Sequence, residues 1–285
     1  MDTKKLNFIF FGTPDVASET LEILKESGYL PSLIVTSPDK PQGRKMIITP
    51  PPTKIWAIEN KIPYIQPENT KELAENFSGE KNIPDFFLVV AYGKILSEKI
   101  INMPRFGSIN IHYSLLPKYR GASPVESAIL NGDTETGVTI QKMSFELDSG
   151  PIIAQEKVAI GNNEKAPDLR KRLIKIGGEL LVKTLPEFVT GKIKLTPQDE
   201  SIASYCKKIK KEDGLIDLGA ELPNVLYNKF RAYAGWPRIF FFRNSKRIII
   251  TDAEFKNGEF VIKRVLPEGK KEIKYEEFTK TSISK

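Results

Sequence analysis

Two short apolar runs constrain this chain most: Lys5-Leu-Asn-Phe-Ile-Phe-Phe-Gly12 and Asp85-Phe-Phe-Leu-Val-Val-Ala91. A strand that is apolar on both faces must be covered on both faces. Such runs therefore belong to a parallel sheet sandwiched between helices. The intervening sequence supplies the helices. Pro14 and Asp15 suit the first turn of a helix carrying Val16, Leu21, Ile23 and Leu24. Residues 30–36 read as a second strand, 50–60 as a helix after a proline-rich entry, 63–66 as a short strand and 71–76 as a polar helix. Residues 96–102 are helical and 107–112 form the next strand. Residues 123–131 form a helix with Ser123 as cap and Pro124 at its first position. Strands alternating with helices at this spacing predict an α/β domain with a doubly wound, mostly parallel sheet.

Beyond residue 131 the pattern changes. Residues 139–143 and 152–160 alternate like antiparallel strands, 166–189 form a long amphipathic helix closed by Gly191, and 192–205 read as an extended polar linker. A helix over 221–233 and short β runs at 238–242, 247–251 and 259–264 make a small β-rich module. The expected organisation is a catalytic domain over 1–191, a linker over 192–206 and a basic C-terminal domain over 207–285.

Charge separates the two modules. The formal net charge is +7, and residues 201–285 carry all of the excess, with 18 basic and 11 acidic side chains. A basic module joined to a neutral one suggests a polyanionic partner, although a solvated lysine-rich surface accounts for the charge equally well. No segment reaches the roughly 20 apolar residues of a membrane helix. The start of the chain shows no secretion signal. The single Cys206 excludes an internal disulfide and suits a reducing compartment, so a cytoplasmic location is expected. One histidine and one cysteine are too few soft ligands for a zinc site, and no metal is expected.

The candidate chemistry centres on that lone histidine. Asn110 and His112 lie two apart on a strand and share a face. They sit near its carboxyl end, where open α/β sheets bind ligands. On those two residues alone a hydrogen-bonded core pair is the safer reading. The following Ser114, Leu115, Leu116 and Pro117 form an irregular apolar loop able to present backbone groups to a flat heterocycle. Asp148 precedes Ser149-Gly150 in a turn, where an aspartate is commonly just a backbone acceptor. Its functional role requires the fold to bring it to His112. Residues 37–52 form a long, proline-rich loop in which Arg44 can meet a phosphate, and a mobile surface loop has equal weight on composition alone. Gly12-Thr-Pro-Asp15 lacks a nucleotide-binding pattern and reads as a structural turn. Cys206 reads as structural; Trp236 could stack on bases, with packing between the C-terminal helix and the β module the favoured reading.

Taken together, these segments resemble the methionyl-tRNA formyltransferases, within the wider folate-dependent formyltransferases. The resemblance is carried by Ser108-Ile-Asn-Ile-His-Tyr-Ser-Leu-Leu-Pro-Lys-Tyr-Arg-Gly-Ala122, Thr136-Gly-Val-Thr-Ile140 and Leu147-Asp-Ser-Gly150. It extends to Phe8-Ile-Phe-Phe-Gly-Thr-Pro-Asp-Val-Ala17, Val89-Val-Ala-Tyr-Gly93, Lys211-Glu-Asp-Gly-Leu-Ile-Asp217 and Gly235-Trp-Pro237. It implies a Rossmann-like formyl-transfer domain followed by a C-terminal domain resembling an OB barrel that helps to hold tRNA. It assigns catalysis to Asn110, His112 and Asp148. It places the folate near Ser114, Leu115, Leu116 and Pro117, with residues 90–96 beside the pterin, and gives Arg44 and Lys45 a role at the tRNA acceptor stem.

The implied reaction moves a formyl group from 10-formyltetrahydrofolate to methionine on initiator tRNA, with no membrane partner and a monomeric enzyme expected. A formyltransferase for a sugar-nucleotide or purine-precursor amine shares the catalytic block. A non-catalytic RNA-binding protein on the same fold is a more distant alternative. Two features depart from the family. Only Lys45 follows Gly43-Arg44 before Met46-Ile-Ile-Thr49, and residues 248–267 leave room for two or three strands.

Overall fold

The computed structural model describes residues 6–43, 45–77 and 82–280. The chain forms two compact units. One takes the chain up to Arg120 with Gly137–Lys157 and Lys171–Ser204; the other takes Gly121–Thr136, Val158–Arg170 and the chain from Tyr205 onward.

In chain order the elements are β1 (Phe8–Gly12), α1 (Asp15–Glu26), β2 (Leu33–Val35), β3 (Lys40–Gln42), β4 (Ile47–Thr49), α2 (Pro52–Glu59), β5 (Tyr64–Ile65), α3 (Thr70–Asn76), β6 (Phe86–Val90), α4 (Glu98–Ile101) and β7 (Ser108–His112). The two-residue β8 (Arg120–Gly121), α5 (Pro124–Leu130), β9 (Glu135–Lys142), β10 (Ile152–Ala159) and α6 (Ala166–Val189) follow. The C-terminal part holds β11 (Tyr205–Cys206), α7 (Pro223–Ala232), β12 (Phe240–Arg243), β13 (Lys246–Lys256), β14 (Glu259–Pro267), β15 (Ile273–Lys274) and α8 (Tyr275–Lys280).

The main sheet has seven strands in the order β10-β9-β7-β6-β1-β2-β5. β5, β2, β1, β6 and β7 run parallel, and β9 joins β7 antiparallel. The two apolar runs are the adjacent strands β1 and β6, and every residue of both is buried. On one face Ile9, Phe11, Phe87 and Val89 join Leu73 and Phe77 and the chain after β6, Tyr92, Leu96, Ile100 and Ile101. On the other, Phe8 stacks on Phe86 with ring centroids 5.1 Å apart, and α1 buries Ala17, Leu21 and Leu24. Each large apolar side chain removed from water contributes about 1.5–3 kcal/mol, so these central strands anchor the unit. Gly12 allows β1 to turn directly into α1. A Cβ there would lie 2.6 Å from the Ala17 Cβ and 2.9 Å from the Val90 carbonyl oxygen.

Local details differ from the sequence reading. The loop over 37–52 contains an antiparallel hairpin, with Pro41 opposite Ile48. Pro41 concealed it, because proline is tolerated only in strands with a free edge. Arg44 lies outside the described residues; Lys45 and Met46 are exposed in the turn, and Ile47 and Ile48 are exposed on β4. Ser123 precedes α5, but its side chain makes no capping hydrogen bond. Its backbone N–H donates to the Cys206 Sγ instead (3.3 Å). β9 begins at Glu135, earlier than alternation alone predicts.

The second unit carries an antiparallel four-stranded sheet in the order β12-β13-β14-β15. Two of its three hairpins turn through Asn244-Ser245 (φ 51° and 58°) and Asn257-Gly258 (φ 53° and 82°). Two consecutive positive φ values match the right-handed twist of flanking strands, which explains the asparagines. β13 extends to Lys256 through an irregularity between Ile250 and Ala253, so it is longer than the run over 247–251 suggests. Among the described residues this sheet has four strands, with an added parallel bridge between Leu215 and Phe240. α7 covers it, stacking Tyr227 on Phe255 (5.8 Å). Tyr227 also donates to Asn163 Oδ1 (2.9 Å), and Arg231 to the Gly161 carbonyl (3.3 Å). No helix among the described residues is long and apolar enough to cross a membrane.

Candidate active site

The sheet order reverses direction between β1 and β6, and ligands of open α/β sheets bind beyond the carboxyl ends of strands at such a point. The loops leaving these strands are joined there. Thr13 Oγ1 donates to the Tyr92 carbonyl (3.1 Å) and shares a hydrogen bond with Ser37 Oγ (3.1 Å). β7 ends beside them on Asn110-Ile-His112, and its period of two puts the carboxamide and the imidazole on one face.

The turn after β9 brings Asp148 to that face. Its Oδ2 lies 3.6 Å from His112 Nδ1. The other ring nitrogen, Nε2, is 2.9 Å from the Tyr119 carbonyl oxygen. A carbonyl only accepts, so Nε2–H is the donor and Nδ1 is the nitrogen turned toward the carboxylate. At 3.6 Å the two groups are neighbours without a formed hydrogen bond, and they become an ion pair only when the imidazole takes a proton. Both side chains are largely buried. The surroundings therefore screen their interaction less than bulk water would.

Asp148 adopts a left-handed backbone conformation, φ 49°. Gln198 holds the turn by donating Nε2 to the carbonyls of Asp148 (2.8 Å) and Gly150 (2.7 Å). Gln198 Oε1 accepts from Arg120 Nε (3.0 Å) and Nη2 (2.8 Å). Arg120 is 1% exposed and also donates to both carboxylate oxygens of Glu200 (2.8 and 2.6 Å). The Arg120 hydrogen bond lowers the Glu200 pKa. Residues read as a linker thus run extended along the first unit, bridged to Ile152 through Thr196.

Asn110 donates Nδ2 to the Val89 carbonyl (3.0 Å), and its Oδ1 accepts from Gln141 Nε2 (3.3 Å). The same Gln141 nitrogen donates to Asp148 Oδ1 (2.9 Å). Sequence reading missed Gln141 and Gln198. Gln141 had a signal, as the one amide in β9, between Ile140 and Lys142. Gln198 had none, because it lies in a polar extended stretch.

The loop after β7 is packed more tightly than expected. Ser114 and Leu116 are buried. The carbonyls of Ser114, Leu115, Leu116 and Pro117 accept from Thr139, Lys118, Gln155 and Ser204 in turn. Only Leu115 among the four is partly exposed. Tyr92 is buried, its hydroxyl has no partner, and burial together with the Glu72 charge pushes its pKa up to about 12. Trp236 is 57% exposed, against the expected packing role, because Pro237 rather than the indole turns inward. Among the described residues no group of three or more His, Cys, Asp or Glu side chains is placed to hold a metal.

An amide donor, an imidazole and a carboxylate on one rim suit attack of a neutral amine on a carbonyl carbon. The amide can stabilise an oxyanion and the imidazole can move a proton.

Comparisons with known proteins bear on that chemistry. Residues 4–185 match the formyl transferase family, and residues 208–261 match the formyl transferase C-terminal domain. The methionyl-tRNA formyltransferase of Thermotoga maritima is 45% identical over 234 residues, covering 81% of this chain and 74% of that protein. The methionyl-tRNA formyltransferase of Halalkalibacterium halodurans is 39% identical over 252 residues, covering 87% and 78%. Among solved structures, an N-formyltransferase from Helicobacter canadensis in complex with folinic acid and dTDP-3-aminofucose superimposes with a TM-score of 0.63 at 20% identity, covering 88% of each chain. A methionyl-tRNA formyltransferase from Clostridium thermocellum gives 0.59 at 18% identity, covering 92% of this chain and 98% of its own. These two structures share the fold.

Proposed function

The chain belongs to the formyl transferase family, with the methionyl-tRNA formyltransferases as its relatives, and we propose that it moves the formyl group of 10-formyltetrahydrofolate to the α-amine of methionine on initiator tRNA. The observation that carries the chemistry is the approach of Asp148 to His112 Nδ1 beside Asn110. The relatives and the basic C-terminal residues support tRNA as the acceptor. In this reading residues 1–191 transfer the formyl group and residues 207–285 help to hold tRNA, with Arg44 and Lys45 at the acceptor stem.

The neutral amine attacks the formyl carbon, forming a C–N bond and a tetrahedral oxyanion. Asn110 Nδ2 has two hydrogens, and one is engaged by Val89. The other donates to the oxyanion, a contact worth about 2.7–4 kcal/mol. His112 Nδ1 takes the amine proton, directly or through one water, and Asp148 stabilises the resulting imidazolium. Such proton transfer contributes about 10²–10⁴-fold. Collapse breaks the bond to N10 of the folate, and the proton passes to that nitrogen. Ser114, Leu115, Leu116 and Pro117 wall the folate, with Leu115 as the contacting side chain. No step calls on a metal.

The test is mass spectrometry of charged initiator tRNA after incubation with the protein and 10-formyltetrahydrofolate. The reading expects one added formyl group on the methionyl ester. No gain on tRNA, with formylation of an amino sugar nucleotide in competition, would replace the proposed acceptor.

A further inference from the structure

We propose that Gln141 is a positioning residue for this reaction, orienting the Asn110 carboxamide and the Asp148 carboxylate together. The inference rests on the function proposed above and deepens it. Gln141 on β9 lies directly opposite Asn110 on β7, where cross-strand side chains meet on one face of the sheet. Its amide nitrogen has two hydrogens. One goes to Asn110 Oδ1 (3.3 Å) and the other to Asp148 Oδ1 (2.9 Å). Its own Oε1 is buried without a partner, and the residue is 1% exposed. The side chain therefore commits both donors to these two oxygens, although its acceptor is left unsatisfied. A structural glutamine in a strand would instead satisfy both ends of its amide.

Two consequences follow for the chemistry. Because Oδ1 of Asn110 accepts from Gln141 while Nδ2 donates to Val89, the carboxamide cannot flip without opposing N–H to N–H. The second Nδ2 hydrogen then stays available for an oxyanion. Because Gln141 holds Oδ1 of Asp148, the other oxygen, Oδ2, is the one presented to His112 Nδ1. Gln198 restrains the same aspartate through its main chain, so the carboxylate is fixed from two sides.

The test compares Gln141→Leu, which keeps bulk without donors, and Gln141→Glu, which keeps polarity but offers only acceptors. For both, kcat falls on the order of 10- to 100-fold, as expected for misplaced catalytic groups, while KM for folate and tRNA stays within about twofold. The chain has one histidine, so ¹⁵N-histidine labelling of tag-free protein reports the His112 ring alone. Its ring ¹⁵N signals shift in both variants without any substrate present. Wild-type kcat in the variants, a rise in KM that accounts for the whole loss, or ring signals that superimpose on the wild type would overturn the role. If the wild-type protein fails to formylate tRNA, the functional reading falls, and the ring signals still decide whether Gln141 sets the geometry. If one variant does not fold, the other carries the comparison.

Discussion

At His112 one ring nitrogen is tied to the Tyr119 carbonyl and the other is turned toward Asp148, which in the proposed mechanism leaves one nitrogen for proton transfer and one for alignment. His112→Ala removes both roles, and single-turnover formyl transfer with saturating tRNA should fall about 10²–10⁴-fold; a near-normal rate would end the mechanism. Gly150 sets the turn that brings Asp148 in. A Cβ at Gly150 would lie 1.8 Å from the Lys142 carbonyl oxygen, a backbone atom that cannot step aside. Gly150→Ala should therefore destabilise the protein by about 1–3 kcal/mol in chemical denaturation and lower kcat, because the turn must open to admit the methyl. At this scale the spacing on one strand put Asn110 and His112 on a shared face, which on its own favoured a hydrogen-bonded core pair. The sequence disclosed Asp148 only through resemblance, and it left Gln198 invisible.

Elements place these residues. β7 and β9 pair with Asn110 opposite Gln141 and His112 opposite Thr139, and a one-residue slip of β9 would turn Gln141 and Thr139 to the other face. The stretch over 192–204 acts as a strap on the first unit, held by Arg120 through Gln198 and Glu200. Glu200 has its pKa lowered in the folded state from the ordinary 4.5, chiefly by that hydrogen bond. A depressed carboxylate pKa contributes stability above the unfolded value, which is lost as pH falls through the folded one. Thermal melts of wild type and Glu200→Gln should therefore differ at pH 7, with the wild type the more stable, and converge as pH falls below 4.5 and through the lowered folded value. A constant difference across that range would mean that the carboxylate charge is not what holds the strap. The β3–β4 hairpin, hidden by its prolines, shows the opposite limit of sequence reading: its pairing is local, but its composition resembles a loop.

For the whole molecule, charge is the feature that composition alone exposes. The basic excess resides in residues 201–285, and the main-sheet part of the chain is balanced. A polyanion held by those lysines releases counterions on binding. Neutralising lysines within residues 207–274 should weaken tRNA binding and flatten its log–log salt dependence by about 0.7–0.9 per lost phosphate contact, with folate affinity unchanged. Equal weakening of both ligands would contradict the separation of roles. By contacts, α5 and residues 158–170 group with α7 in the second unit.

Local pattern by itself determined the layered α/β architecture, because an uninterrupted apolar strand admits only burial on both faces and alternation with helices supplies the cover. It also put Asn110 and His112 on one face near the carboxyl end of β7. Only the tertiary structure decided that Asp148 reaches His112, that Gln141 bridges Asn110 and Asp148, and that Arg120 is buried against Gln198 and Glu200. Apart from the local Gln141–Asp148 hydrogen bond, those contacts join residues 31 to 80 positions apart. Their partners are chosen by sheet register and by the satisfaction of buried polar groups, neither of which leaves a periodic trace in the sequence.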